Sequence, residues 1–122
     1  MEPQLEYIEY KDFARVDMRV GKVLRVEEFP RARKPAYKLF IDFGEEIGER
    51  KSSAQITEYY KPEDLVGRYV VAVVNFPARQ IADFMSEVLV LGASTDGTTG
   101  NIILLAPDQV QNKELPCGAR IC

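Results

Sequence analysis

A small closed β-barrel with one inserted helix is the fold that this sequence predicts. Three observations predict it. A series of short segments alternates apolar and polar residues with period two, beginning with "VDMRVGKVLRVEEF". A single helix-forming interruption, "TEYYKPEDLVG", follows the third such segment. The chain has 122 residues and is 46% apolar, one domain (1–122) of common length whose core needs no staple.

In the first strand Val16, Met18, Val20, Leu24 and Val26 take the even positions, with Asp17, Arg19, Arg25 and Glu27 between them. That is the pattern of a half-buried strand, and Gly21 in its middle predicts a bulge or sharp coil. A strand this long and bent serves both halves of a small barrel. "RARKP" (31–35) is a basic turn, and "AYKLFIDFG" is the second strand, with Tyr37, Leu39, Ile41 and Phe43 on one face. "EEIGERKSSAQI" turns into a third strand over 49–56. In the helical connection Thr57 is the cap of a first short helix, Pro62 starts a second turn and Gly67 ends it. "RYVVAVVNF" is apolar on both faces and so is a central strand. "SEVLVLGAS" and "NIILLAP" are two more strands, separated by "TDGTTG". The tail "DQVQNKELPCGARIC" is loop with one short strand. Ahead of the barrel, "LEYIEYKDF" (5–13) sets Leu5 and Ile8 at helical spacing, a short N-terminal helix. The order matches the OB-fold, a five-stranded Greek-key barrel with a short helix between strands 3 and 4. An SH3-like barrel is the alternative, and it usually lacks that helix.

Composition excludes several functions. There is no histidine, the commonest general base, and no nucleophile motif. The glycines of "DFGEEIGER" have the wrong spacing for a phosphate loop. Cys117 and Cys122 cannot close a zinc site without histidine, and they are expected as free thiols. No metal, cofactor or catalysis is predicted. No apolar run approaches the roughly 20 residues of a membrane span, and "MEPQLEYIEYKDF" lacks an apolar signal core, so a cytoplasmic protein is expected. The net charge of −3 requires any nucleic-acid surface to be a local patch.

One stretch does not read as core. After the apolar run to Val74 come Asn75, Phe76, Pro77 and Arg79, and Ser86 and Glu87 precede the next strand. "DMRVGKVLRVEEFP", "KSSAQITEYYKPEDLVGR", "VVAVVNFP" and "SEVLVLGAS", in that order, resemble the EMAP II-like family of tRNA-binding OB-fold domains, over Phe13 to Ile121. The resemblance implies a non-catalytic homodimer, the N-terminal helix packing on the partner subunit. It implies two kinds of ligand, tRNA and unfolded or pre-secretory polypeptides. Carried over residue by residue, it assigns RNA contacts to Asn75, Arg79 and Ser86, and the methionine of the family's S-x-x-M step is Leu89 here. The segment Ser52–Ile56 matches the family's approach to the helix, so Ser53 and Gln55 are expected on the same face. The loop after "NFP" departs from the family: Gln80 and Asp83 stand where a basic residue and a glycine are often found, and Met85 precedes the serine.

The residues themselves add a basic group, Arg31, Arg33, Lys34 and Lys38, on the loop and strand through which OB-folds bind. These four are expected to contact phosphates, with Arg50 and Lys51 extending the stripe. Phe76, Phe84 and Met85 are the expected polypeptide contacts. Tyr37 and Phe76 also read as core. Phe84 with Met85 reads as the exposed apolar spot, and methionine adapts to irregular ligands. Tyr59 and Tyr60 are expected to pack the helix on the barrel.

Overall fold

The computed structural model describes residues 4–122, so the predicted domain is seen from its fourth residue onward. The elements in chain order are α1 (Tyr10–Ala14), β1 (Met18–Glu28), β2 (Tyr37–Asp42), α2 (Gly44–Ile47), β3 (Glu49–Ala54), α3 (Pro62–Leu65), β4 (Tyr69–Val73), β5 (Arg79–Ile81), β6 (Phe84–Ser86), β7 (Leu89–Val90), β8 (Gly92–Ser94) and β9 (Ile102–Leu104). Five strands form one antiparallel sheet in the order β3-β2-β1-β4-β7, and β5–β6 and β8–β9 are separate hairpins. This is the predicted OB-like barrel with its short helix between β3 and β4.

β1 divides its length between two neighbours. Residues 18–22 pair with β4, and residues 22–28 pair with β2. The register slips between Val23 and Arg25, so the bulge lies at Leu24 and not at Gly21 as predicted. The slip turns Val23 into the core and leaves Leu24 exposed, breaking the even-position pattern. Gly21 has a different physical reason. A methyl group built there would lie 2.5 Å from Ile41 Cγ2 and 2.7 Å from the Phe43 ring. Only a residue without Cβ lets β1 lie this close to the side chains beneath it.

The core is made where the alternation predicts it: Tyr37, Leu39, Ile41 and Phe43 are buried together with Val23, Ile56, Leu65, Val70 and Ala72. β4 is buried along nearly its whole length and flanked on both sides, as expected of a central strand. Pro62 is at the first position of α3, and Gly67, at φ 86°, follows its last turn. Other predictions are corrected. β3 stops at Ala54, and residues 57–59 form a turn without helix. Leu5 and Ile8 lie ahead of α1 in chain without regular secondary structure, and both are exposed. Tyr60 does pack inward, its hydroxyl oxygen accepting from the Leu104 amide at 3.0 Å, whereas Tyr59 reaches outward to Thr95.

The C-terminal segment is held against the free edge of β1. The Val20 amide donates to Ala119, the Gly118 amide to Val20 and the Ile121 amide to Met18. Arg19 fastens this strap: its Nε donates to Asp17 at 2.6 Å and its NH1 to the Gly118 carbonyl at 3.1 Å. Both cysteines are free thiols, Cys117 half-buried at the start of the strap and Cys122 at its end. The Arg19 guanidinium holds the Asp17 carboxyl below the usual carboxylate range.

Two predictions follow from this packing. Gly21→Ala should lower the free energy of unfolding by about 1–3 kcal/mol, the usual cost of overpacking, read as a shifted urea midpoint at unchanged slope. For Asp17, the folded pKa lies below the unfolded one. Its contribution is therefore complete above the unfolded value of roughly 3.9 and is lost as pH falls through the folded value. The stability difference between the wild type and Asp17→Asn should be constant above about pH 5 and shrink below about pH 4, as measured by urea unfolding across that range.

Candidate nucleic-acid interface

The barrel closes where β3 meets the chain between β6 and β7, and side chains make most of the seam. Ser52 is fully buried and donates its hydroxyl to the Val88 carbonyl at 2.9 Å. The Glu87 amide donates to the Lys51 carbonyl, and the Lys51 amide returns a bond to the Glu87 carboxylate at 3.1 Å. The Ser53 amide donates to Ser86 Oγ at 3.0 Å. A hydroxyl and a carboxylate thus take the place of ladder carbonyls that this short stretch cannot offer. That explains why Ser86 and Glu87 precede an apolar strand.

Asn75 has a similar local task. Its Oδ1 accepts from the Asp17 amide at 3.0 Å and its Nδ2 donates to the Arg15 carbonyl at 2.8 Å. The amide ties the end of β4 to the chain between α1 and β1, where both groups would otherwise lack a partner.

The outer face of β1, β2 and β3 is the basic surface. Residues opposite one another across the three strands form two rows, Arg25–Phe40–Lys51 and Glu27–Lys38–Ser53. The hairpin of β5 and β6 lies against this face. Phe84 of β6 packs edge-on against Phe29, at 5.4 Å between ring centres, and against Phe40 at 6.3 Å. Cations ring this cluster: the Lys38 ammonium is 4.8 Å from the Phe29 ring and 5.2 Å from Phe84, and Lys51 is 5.3 Å from Phe84. The Arg25 guanidinium lies 3.8 Å from the Phe40 ring centre. At such contacts the negative face of the ring attracts the cation.

The predicted residues distribute unevenly over this surface. Lys38 and Ser53 are direct cross-strand partners, and so are Arg79 and Ser86 in the hairpin. Ser53 joins the two pairs through its bond to Ser86. Arg31 crosses from the loop after β1 to the hairpin turn, where its NH1 donates to Asp83 at 2.9 Å. That bond holds the Asp83 carboxyl below its ordinary pKa. Arg33 and Lys34 stand exposed on the same loop, and Gln55 is exposed one residue beyond β3. Asn75 is bound instead to the α1–β1 connection. The two phenylalanines exchange their expected places. Phe84 is buried at 6% exposure because the hairpin folds it onto Phe29 and Phe40, and Phe76, read as core, is 53% exposed. Met85 points outward at 41%, as expected.

The family described as "Putative tRNA binding domain" matches residues 18–114. The chain is a member of that family. Chaperone CsaA from Bacillus anthracis is 50% identical, with 96% of this chain and all of that one covered and a TM-score of 0.84. The CsaA chaperone protein from Picrophilus torridus is 48% identical, with 95% of this chain and all of that one covered, at a TM-score of 0.83. The methionine–tRNA ligase of Pyrococcus horikoshii is 38% identical over 120 residues, which is 98% of this chain and 15% of the ligase. The chain therefore spans only a small part of the curated relatives it matches. The resemblance read from the motifs holds in both sequence and structure. Among the described residues, no cluster of acidic or sulfur side chains is arranged to hold a metal ion, and no helix is long and apolar enough to cross a membrane.

The reversed burial of Phe84 and Met85 is directly testable. Phe84→Ser should destabilise the fold by about 3–5 kcal/mol, the range for emptying a buried phenylalanine site. Met85→Ser should change stability by no more than about 0.5 kcal/mol, as an exposed substitution does. Thermal unfolding of the two single variants separates these outcomes.

Proposed function

We propose that the domain binds tRNA, without catalysis, through the outer face of β1–β3 and the loops that border it. The observation that carries this reading is the concentration of cations on one face of a chain whose net charge is −3. Lys38 and Lys51 flank the aromatic cluster, and Arg31, Arg33 and Lys34 line the adjoining loop. Arg79 and Ser86 extend the surface along the hairpin, with Ser53 and Gln55 beside them. Asn75 contributes through its position at the end of β4. Family membership supports the same ligand. Phosphate contacts of this kind position an RNA without reading its sequence, so recognition is by shape. The expected setting is the cytoplasm.

A second reading is capture of unfolded or pre-secretory polypeptides. Two observations favour it: both CsaA structures carry the name chaperone, and Phe76 and Met85 are exposed apolar side chains. The buried Phe84 anchors the hairpin that carries Met85. We also propose that the chain forms a homodimer through its N-terminal segment. Leu5, Tyr7, Ile8 and Tyr10 are all more than two-thirds exposed, an uncovered apolar strip on one short stretch of chain.

Titration of total tRNA at several salt concentrations tests the first reading. With about three or four neutralised phosphates, the log–log slope should be on the order of −2 to −4. Arg33→Ala should weaken binding to all tRNAs and make the slope shallower by about one unit or less. Absence of tRNA binding at low salt would refute the reading. The polypeptide reading predicts that Phe76→Ser with Met85→Ser abolishes suppression of aggregation of a denatured client and leaves the tRNA salt slope unchanged. Light scattering should show a dimer that is weakened when residues 1–12 are removed.

A further inference from the structure

We infer that the Arg25 guanidinium, stacked on Phe40, is a docking plane for an unpaired nucleobase. The inference rests on the reading of the β1–β3 face as an RNA surface and adds to it a contact with a base. A separation of 3.8 Å between the guanidinium carbon and the ring centre is the spacing of two stacked planes in van der Waals contact. The ring covers one face of the guanidinium. The Glu27 carboxylate accepts from Arg25 Nε at 3.1 Å, a bond in the guanidinium plane that fixes its rotation and occupies an edge. The Arg25 side chain is nevertheless 55% exposed, so its second face is open to solvent. A planar, delocalised cation with one face supported and the other open is the chemistry on which splayed bases stack in RNA complexes.

The support beneath is firm. Phe40 lies against Phe84, which is itself buried against Phe29, so the platform rests on a packed aromatic cluster. The surroundings fit a nucleotide as a whole. Lys51 is directly opposite Phe40 on the far side from Arg25. Two strand spacings separate Arg25 from Lys51, roughly 10 Å, which leaves an ammonium beside the path of the sugar–phosphate chain. The row thus presents a plane for a base at one end and a charge for a phosphate at the other. A lysine at position 25 would supply the charge but no plane, and so the two contributions can be separated by substitution.

The experiment compares a single-stranded hexamer of adenosine with an abasic hexamer of the same length and charge, by fluorescence anisotropy at fixed salt. The wild-type protein should bind the base-bearing strand at least about fivefold more tightly, the lower bound for one stacked base. Arg25→Lys, which keeps the charge, should remove that preference, and Phe40→Leu should reduce it. Lys51→Ala should weaken both strands equally and keep the preference. Matching thermal unfolding curves establish that each variant is folded. Equal binding of the two strands by the wild type, binding of neither, or a preference that survives Arg25→Lys would overturn the inference. Total tRNA is titrated alongside. Salt-dependent tRNA binding without a preference for bases refutes the docking plane alone. A base preference without tRNA binding refutes the tRNA reading and leaves the docking plane standing.

Discussion

A single strand serves both halves of the barrel, and the remaining packing depends on how it does so. β1 gives its first half to β4 and its second half to β2, exchanging neighbours near Lys22, the residue common to both pairings. The exchange requires strong local coiling. Gly21 lets the backbone lie against Ile41 and Phe43, and the bulge at Leu24 then rotates the rest of the strand. Rotation brings Val23 into the core and turns Arg25 outward beside Phe40. One irregularity therefore fixes both the core and the outer surface. A regular strand continuing the alternation of Gly21 and Val23 would carry Arg25 inward and leave the basic face without its first row.

The polar residues at the barrel ends act chiefly as substitutes for missing backbone pairing. Ser86 and Glu87 complete the seam with β3, Asn75 satisfies two backbone groups next to α1, and Arg19 binds the C-terminal strap to the start of β1. With these groups committed to the fold, the outer face of β1–β3 is not needed for closure. The hairpin of β5 and β6 deepens that face by laying one aromatic ring upon it. The proposed binding surface and a stability element meet there, because Phe84 both anchors the hairpin and supports Phe40 and the neighbouring ammonium groups.

Much of this was legible in the alternation of residues. Tyr37, Leu39, Ile41 and Phe43 share a buried face because period two on a pleated strand admits one solution once that face is packed. The central position of β4 and the start of α3 at Pro62 were legible for equally local reasons. The hairpin was not. Its two-residue turn holds Ala82 at φ 54°, a conformation that usually announces itself through glycine or asparagine. Without that signal, residues 79–85 read as loop, and the loop reading made Phe84 exposed. The Arg25–Phe40 and Phe29–Phe84 contacts join residues 15 to 55 positions apart, and no periodicity within a segment reports them. Of the candidate site residues, the exposed basic loop and Lys38 were chosen from charge alone, and the fold sets them along one border of the β1–β3 face. The local duties of Asn75 and Ser86 depend on partners that only the folded chain supplies.

The ion pair between Arg31 and Asp83 joins the two loops that border the basic face, one before β2 and one at the tip of the hairpin. Because both side chains are largely exposed, the pair adds little to stability. An arriving phosphate must take Arg31 away from its own carboxylate, so the carboxylate acts as a tethered competitor. Diffuse anions meet the same competitor at every encounter, whereas a ligand that engages several cations together meets it once. On the proposed tRNA reading, the latch would favour multivalent polyanions over single charges, a selectivity arising from a residue that touches no ligand.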